Sequence, residues 1–410
     1  MVHVPPAAPA PPTSSTTPVP ALRRAVFAMA LGGFAIGTTE FATMGLLPQI
    51  ADDLAVTVPA AGHLISAYAL GVVVGAPLIV VVGARLERKR LLVLLVVAIA
   101  LGNLLSAVAP GYGSMVGARF IAGLPHGAYF GIASLIAARL APAGQRARAV
   151  SQVMLGLTIA TTVGVPLSTA LGQLVGWRSA YVLVVLVAAA TVVATWRWVP
   201  SLPHPGTGRA SARRELRALR HGQVWFALGI GSVGFGGMFA VYSYVGEIVP
   251  EVLGMPTATV PVVLAIFGVG MTVGTIVGGR LADRSVMGTV MAGMAGMAVM
   301  LAVFALTATV HPVVGLVGLL LVATVSQFLG PSLQIRLLNS SPDAPSLAAA
   351  LHHSALNIGN ATGAWVGGLV IAAGYGYLAP AWAGVALAVA GLVIAIASVA
   401  VERRTAAVQD

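Results

Sequence analysis

Apolar residues in this chain come in long blocks, and polar ones are confined to the short connections between them. Stretches of about 20 residues or more, long enough to cross a bilayer as helices, occupy 24–48, 59–83, 91–109, 114–138, 148–173, 179–199, 223–247, 258–280, 287–309, 313–337, 346–373 and 378–400. The pattern predicts an all-α integral membrane protein with twelve transmembrane helices. The first block is longer than the apolar core of a secretory signal and lacks a matching cleavage site, so it reads as a retained span. Residues 1–21, rich in Pro, Ala, Ser and Thr, show almost no periodicity and read as a disordered tail.

Basic residues fall in every second connection. Arg23 and Arg24 precede span 1, Arg85, Arg88, Lys89 and Arg90 follow span 2, and Arg139, Arg146 and Arg148 follow span 4. The series continues after spans 6, 8, 10 and 12, placing 20 of the 22 Lys and Arg residues on one side; Arg119 and Arg178 are the exceptions. Short cytoplasmic loops collect Lys and Arg, so both termini are expected in the cytoplasm. The most basic connection, 200–222, divides the chain into bundles at 22–199 and 223–401, with a last tail at 402–410. A shift of 195 residues lays Gly75 on Gly270, Gly164 on Gly359 and Gly172 on Gly367. Two pseudo-symmetric six-helix bundles are therefore expected, as in transporters that rock two repeats about a midplane site.

Composition sharpens this picture by exclusion. Of the 410 residues 58% are hydrophobic and 8% charged, against about 25% charged in a soluble domain. The net charge of +11 would suggest nucleic acid were it not spread over membrane-side loops, so no nucleic-acid partner is expected. With no Cys, disulfides, thiol catalysis and thiolate metal sites are ruled out. No nucleotide-binding P-loop occurs, and His352 and His353, placed at the beginning of span 11 as a solvated pair, lack a third metal ligand nearby in sequence. Neither cofactor nor metal is expected, and no nucleophile–base set suggests an enzyme.

Against so apolar a background the few buried ionisable residues stand out. Glu40 lies eight residues before Pro48, roughly 12 Å from that helix end at 1.5 Å per residue. A charged side chain at such depth costs about 2.5 to 3.5 kcal/mol and usually marks an ion or substrate path; an acid that stays neutral is the bland alternative. In span 4, Arg119, Gly123, His126 and Gly127 are spaced i, i+4, i+7 and i+8, which puts all four on one helical face. Arg119 keeps its proton under ordinary conditions and needs a partner, for which Glu40 is the candidate, although an architectural role is the alternative. His126 titrates near physiological pH or makes a neutral bond between helices.

Tyr68, Phe130, Tyr242, Tyr244, Gln327 and Asn357 are candidates for lining a cavity for amphipathic molecules; lipid-facing or interhelical positions are the other option for each. Glu247, near the end of span 7, is assigned to the interface, with the outer vestibule as the alternative. In span 5, Gly164, Pro166 and Gly172 allow close packing or a moving seam.

The segments GTTEFATMGLLPQIADDL (37–54), PAAGHLISAYALGVVVGAP (59–77), RFIAGLPHGAYFG (119–131) and GVPLSTALGQLVGWR (164–178) resemble the major facilitator superfamily. The nearest branch looks like its twelve-span drug:proton antiporters, of the bacterial arabinose-efflux and chloramphenicol-resistance types. The family's loop motif is similar in part after span 2, at Gly83, Arg88, Lys89 and Arg90, with Arg85 where the motif has its acid. It is closer after span 8, at Gly279, Asp283 and Arg284, so a charge latch between the halves would depend on Asp283. The span 5 antiporter motif is degenerate, Val165 separating Gly164 from Pro166.

The resemblance implies spans 1, 4, 7 and 10 around a central cavity, with Glu40, Arg119 and His126 as proton-coupling residues. Desolvation opposes ionisation of a carboxyl and a nearby guanidinium favours it, so a changing Glu40–Arg119 distance would couple conformation to protonation. Expected partners are a small-molecule substrate, protons and membrane lipid, with a monomer as the unit. The implied function is proton-driven efflux of drug-like molecules across the bacterial inner membrane; efflux of sugars or their derivatives is the alternative.

Overall fold

A computed structural model of the chain describes residues 19–83, 86–142, 145–202, 221–341 and 345–409. Most of the expected tail 1–21 and linker 200–222, together with Arg85, lies outside the described residues. Twelve helices are long and apolar enough to cross a membrane: α1 (Pro20–Gly45), α2 (Val58–Ala76), α3 (Arg88–Ala107), α4 (Tyr112–Leu140), α5 (Arg148–Val175), α6 (Arg178–Trp198), α7 (Gly222–Tyr242), α8 (Thr257–Ala282), α9 (Val286–Thr307), α10 (Pro312–Ser340), α11 (Leu347–Ala372) and α12 (Ala379–Arg404). They match the predicted blocks one for one. In hydrocarbon every backbone N–H and C=O must be satisfied within the protein, which a helix achieves by itself. The ends differ: helical structure already begins at Val19, and α12 runs on to Gln409 through the expected tail, because no Gly or Pro intervenes there to stop it.

Four spans are interrupted, and prolines explain three of them. A proline lacks the N–H that the carbonyl four residues earlier requires. Pro125 leaves Ile121 O to the Leu124 N–H at 3.3 Å, and α4 divides into Tyr112–Gly123 and His126–Leu140. Pro166 follows a π turn, Ala160–Gly164, in α5. Pro331 lies beyond the break at Gln327 and Phe328 that divides α10 into Pro312–Ser326 and Leu329–Ser340. A second π turn, Ile230–Gly234, lies in the Gly-rich stretch of α7; we have no physical account of it beyond that composition.

Helices α1 to α6 pack as one bundle and α7 to α12 as another. The predicted glycine pairs do the same work in each. Gly75 brings α2 onto the Leu124 carbonyl of α4, and Gly270 brings α8 onto the Leu320 carbonyl of α10. Gly164 seats α5 against Thr38 and Phe34 of α1, as Gly359 seats α11 against Gly231 and Gly236 of α7. Further along, Gly172 meets Leu46 and Gly367 meets Ala240. Small residues matter here because in lipid close backbone approach replaces the hydrophobic effect as the source of attraction between helices.

The bundles also meet each other, both at the end away from the basic loops and nearer the middle. Gly246, in the short helix Val245–Glu251, rests on Pro48 and the Met44 carbonyl, and Tyr244 is wedged between Gly62 of α2 and Gly368 of α11. Gln173 Nε2 donates to Thr257 O at 3.0 Å. Nearer the middle, Ser66 Oγ donates to Ala361 O at 3.2 Å, and the Thr162 and Thr272 hydroxyls pair at 3.3 Å.

Candidate functional site

The break in α4 separates Arg119, near the end of the first segment, from His126, which opens the second. Gly123 and Gly127 flank it. A Cβ at 123 would overlap the Tyr68 carbonyl, and one at 127 would come 2.8 Å from the Ala76 Cβ. With α2 held so close, the Tyr68 side chain reaches both Arg119 and His126.

Arg119 is completely buried, at 0% exposure. It donates from Nη1 to Thr39 Oγ1 at 3.0 Å and from Nη2 to Thr39 O at 3.1 Å, and its guanidinium lies 4.4 Å from the Tyr68 ring centroid. The Thr39 hydroxyl in turn donates to Asn103 Oδ1 of α3, whose Nδ2 is held by Ile99 O at 2.8 Å. The partner named from the sequence was Glu40. Glu40 instead feels Arg119 through space, without a contact ion pair, because adjacent residues on a helix point about 100° apart. Arg119 thus ties α1, α2, α3 and α4 together beside the carboxyl.

Glu40 is 6% exposed and faces the seam between the bundles. Its Oε2 is 4.0 Å from His126 Nδ1, and the Tyr68 hydroxyl is 3.1 Å from the same nitrogen. From the other bundle the buried Asn360 amide approaches the carboxyl without closing a hydrogen bond of normal geometry, and the Tyr242 hydroxyl, also unpartnered, lies within its electrostatic range. Phe41 meets Tyr242 edge-on at 5.7 Å, and Tyr242 stacks on Phe267 at 4.3 Å. Glu40 is the only acid in the buried set of described residues.

The remaining candidates divide. Tyr68, Phe130, Tyr242 and Asn357 gather at this seam. Asn357 donates from Nδ2 to His353 O at 3.0 Å while its Oδ1 stays unpartnered. Tyr244 does not belong to the group: its hydroxyl is bound to Ala364 O at 2.6 Å and its ring fills a packing joint. Nor does Gln327, which sits at the break of α10 against Gly274 of α8. Glu247 is half-buried in the short helix beyond α7.

His352 and His353 do not lie on the solvated surface at a helix end. The helix containing α11 begins at Pro345, so both lie well inside it; His352 is buried and His353 half-buried. The His353 ring stacks on Phe130 of the other bundle, with centroids 5.3 Å apart and planes 10° from parallel, and is 5.8 Å from His126. Their depth was readable from the start of that apolar block; that they face α4 was not. Asn360 carried no signal in the sequence beyond being an amide in an apolar run.

At the basic end, the acid of the loop motif is Glu87 and not Arg85. It stands four residues after Gly83, as Asp283 stands four after Gly279, and its carboxylate pairs with Arg90 at 3.2 Å. Gly83 packs on Leu91. Arg88 and Lys89 open the helix of α3, and Asp283 and Arg284 close that of α8. Among the described residues no ion pair joins Asp283 to the other bundle.

These features agree with what the chain is similar to. A model of the Major Facilitator Superfamily matches residues 29–344. The chain belongs to that superfamily. It is 38% identical over 353 residues to the inner membrane transport protein YdhP of Escherichia coli (strain K12), covering 86% of this chain and 90% of that one. It is 32% identical over 360 residues to a chloramphenicol resistance protein of Streptomyces lividans, covering 87% and 92%. A crystal structure of a D-xylose-proton symporter superposes with a TM-score of 0.72 over 92% of this chain and 97% of that one, at 17% identity, a likeness of fold. This superfamily member is a membrane transporter of small molecules and not an enzyme.

Proposed function

We propose that the chain exports small amphipathic molecules across the bacterial inner membrane in exchange for protons, with Glu40 as the exchanging group. The observation that carries this reading is the one acid in the buried set of described residues, placed at the seam of two bundles with His126 Nδ1 4.0 Å from its carboxyl and no arginine in contact with it. A carboxyl in that position keeps or releases its proton according to which groups come within reach. Rocking of one bundle against the other changes those groups: Asn360 and Tyr242 belong to the moving partner, and Arg119 and His126 to its own side. Basic loops face the cytoplasm in this reading, and the contacts among Gly246, Pro48, Gln173 and Thr257 shut the outer end. Rings line much of the seam beside the unpartnered Tyr242 hydroxyl and the Asn357 and Asn360 amides, a mixture that suits an amphipathic drug-like substrate. Inside-out vesicles energised by respiration test the proposal through a pH-sensitive dye. Addition of chloramphenicol is expected to release protons, and Glu40→Gln to abolish the signal while the protein still folds. Uphill efflux retained by Glu40→Gln would remove Glu40 from coupling, and a response to arabinose-type sugars alone would favour the alternative substrate class.

A further inference from the structure

Three titratable side chains form a row across the seam. Glu40 Oε2 is 4.0 Å from His126 Nδ1, and the His126 ring centroid is 5.8 Å from that of His353. The first two belong to the N-terminal bundle and the third to the C-terminal one. The row also has a direction: Glu40 lies five residues from the end of α1 at Gly45, whereas His353 lies six residues into α11 from the basic end. Ionisable residues inside a span usually serve a pathway. The sequence's only other use for this pair, a metal site, fails: no group of three or more metal-ligating side chains occurs among the described residues.

We propose that His353 is the second proton-carrying group of this transporter, receiving through His126 the proton that Glu40 releases. The inference rests on the coupling role of Glu40 proposed above. In the step, the Glu40 O–H bond breaks and an N–H bond forms at His126 Nδ1. The proton on the other ring nitrogen then passes to His353, leaving a carboxylate, a neutral His126 and a protonated His353; one proton has moved and no other bond has changed. The Tyr68 hydroxyl, 3.1 Å from Nδ1, either donates or accepts and so follows the change. Ring centroids at 5.8 Å leave a gap that one water or a small ring rotation bridges. The groups facing His353 are His126 and Phe130 from α4 and His352 from its own helix. Because His353 comes from the other bundle, the path is complete only while the bundles touch at this level, so rocking interrupts it.

The test follows Glu40 itself. Purified protein in nanodiscs is given a rapid pH jump, and the carbonyl stretch of the protonated carboxyl, identified by its loss in Glu40→Gln, is recorded against time. His353→Phe keeps the stack on Phe130 and removes the proton carrier; it is expected to slow the Glu40 signal at least about tenfold. His353→Ala is expected to be equally slow and to recover as imidazole is added, which a purely structural role would not produce. Unchanged rates in both variants, or slowing that imidazole fails to relieve, would overturn the role of His353 and leave that of Glu40 standing. Absence of any titrating Glu40 band in the unmodified protein would overturn both.

Discussion

The two bundles share a fold and differ in chemistry. In α1 to α4 the interior holds Glu40, Arg119, His126 and Asn103 among its buried side chains. In α7 to α10 the equivalent interior is built from Met238, Phe239, Tyr242, Phe267, Met294 and Met297, and its charges are near the helix ends. From that side α11 brings His353, Asn357 and Asn360 to the seam, beside the hydroxyls of Tyr242 and Thr272. A duplicated architecture thus keeps its helix-packing glycines in both copies and its ionisable cluster in one. Packing demands repeat with the geometry, whereas a charge buried in both copies would double a desolvation cost.

The largest effect on folding is expected where the asymmetry is greatest. Arg119→Leu removes two hydrogen bonds from a charged group to Thr39 and the stack on Tyr68; at about 1.5 to 3 kcal/mol for each such hydrogen bond a loss of about 3 to 5 kcal/mol is expected, read as a lowered thermal transition in detergent. Arg119→Lys is expected to recover part of it, since an ammonium cannot match the forked donation to Thr39. A smaller effect separates the glycines. A Cβ at Gly75 would overlap the Leu124 carbonyl, while one at Gly270 would come 2.6 Å from the Leu320 carbonyl. Both Gly→Ala variants are expected to destabilise by about 1 to 3 kcal/mol, with Gly75→Ala the worse; equal melting points for the two would show that the bundles tolerate crowding alike.

The smallest effect lies outside the membrane, in the connection after α1. Asp53 is 2.6 Å from Arg178 Nη1, and the hydrogen bond from that guanidinium, aided by Trp177, holds its carboxyl below the ordinary 3.8. A group depressed on folding adds stability that is present above its unfolded value and is lost as pH falls through the folded one. Both partners are about two-fifths exposed, so the pair is screened, and the contribution is expected to be at most about 1 kcal/mol. Asp53→Asn is therefore expected to lower the melting point slightly at pH 7 and not at all below the folded value; an equal effect at both would assign it to packing.

How far the site could be read from sequence varies residue by residue. Glu40, Arg119 and His126 were visible because a charge in a long apolar block is costly wherever the fold puts it. The pairing was less visible. Helical spacing places Arg119 and His126 on one face of α4, but which residue of α1 meets each depends on rotation about α1, and there Thr39 took the arginine. Tyr244 and Asn357 looked alike in sequence and separated in space, one as a wedge between helices and one at the seam. His353 is hidden in the sequence because a pair near a span's beginning reads as solvated, although seven to eight residues into the helix that starts at Pro345 is about 10 to 12 Å of depth.

Length and polarity of the blocks by themselves determined the number of helices, the alternation of basic loops and the existence of two similar bundles, because the bilayer imposes those terms on any chain that crosses it. The tertiary structure alone decided which polar groups share a seam. That choice rests on the rotation and crossing of packed helices, set by glycines meeting backbone carbonyls and by breaks at Pro125, Pro166 and Pro331, and those contacts join residues as far apart in the chain as His126 and His353.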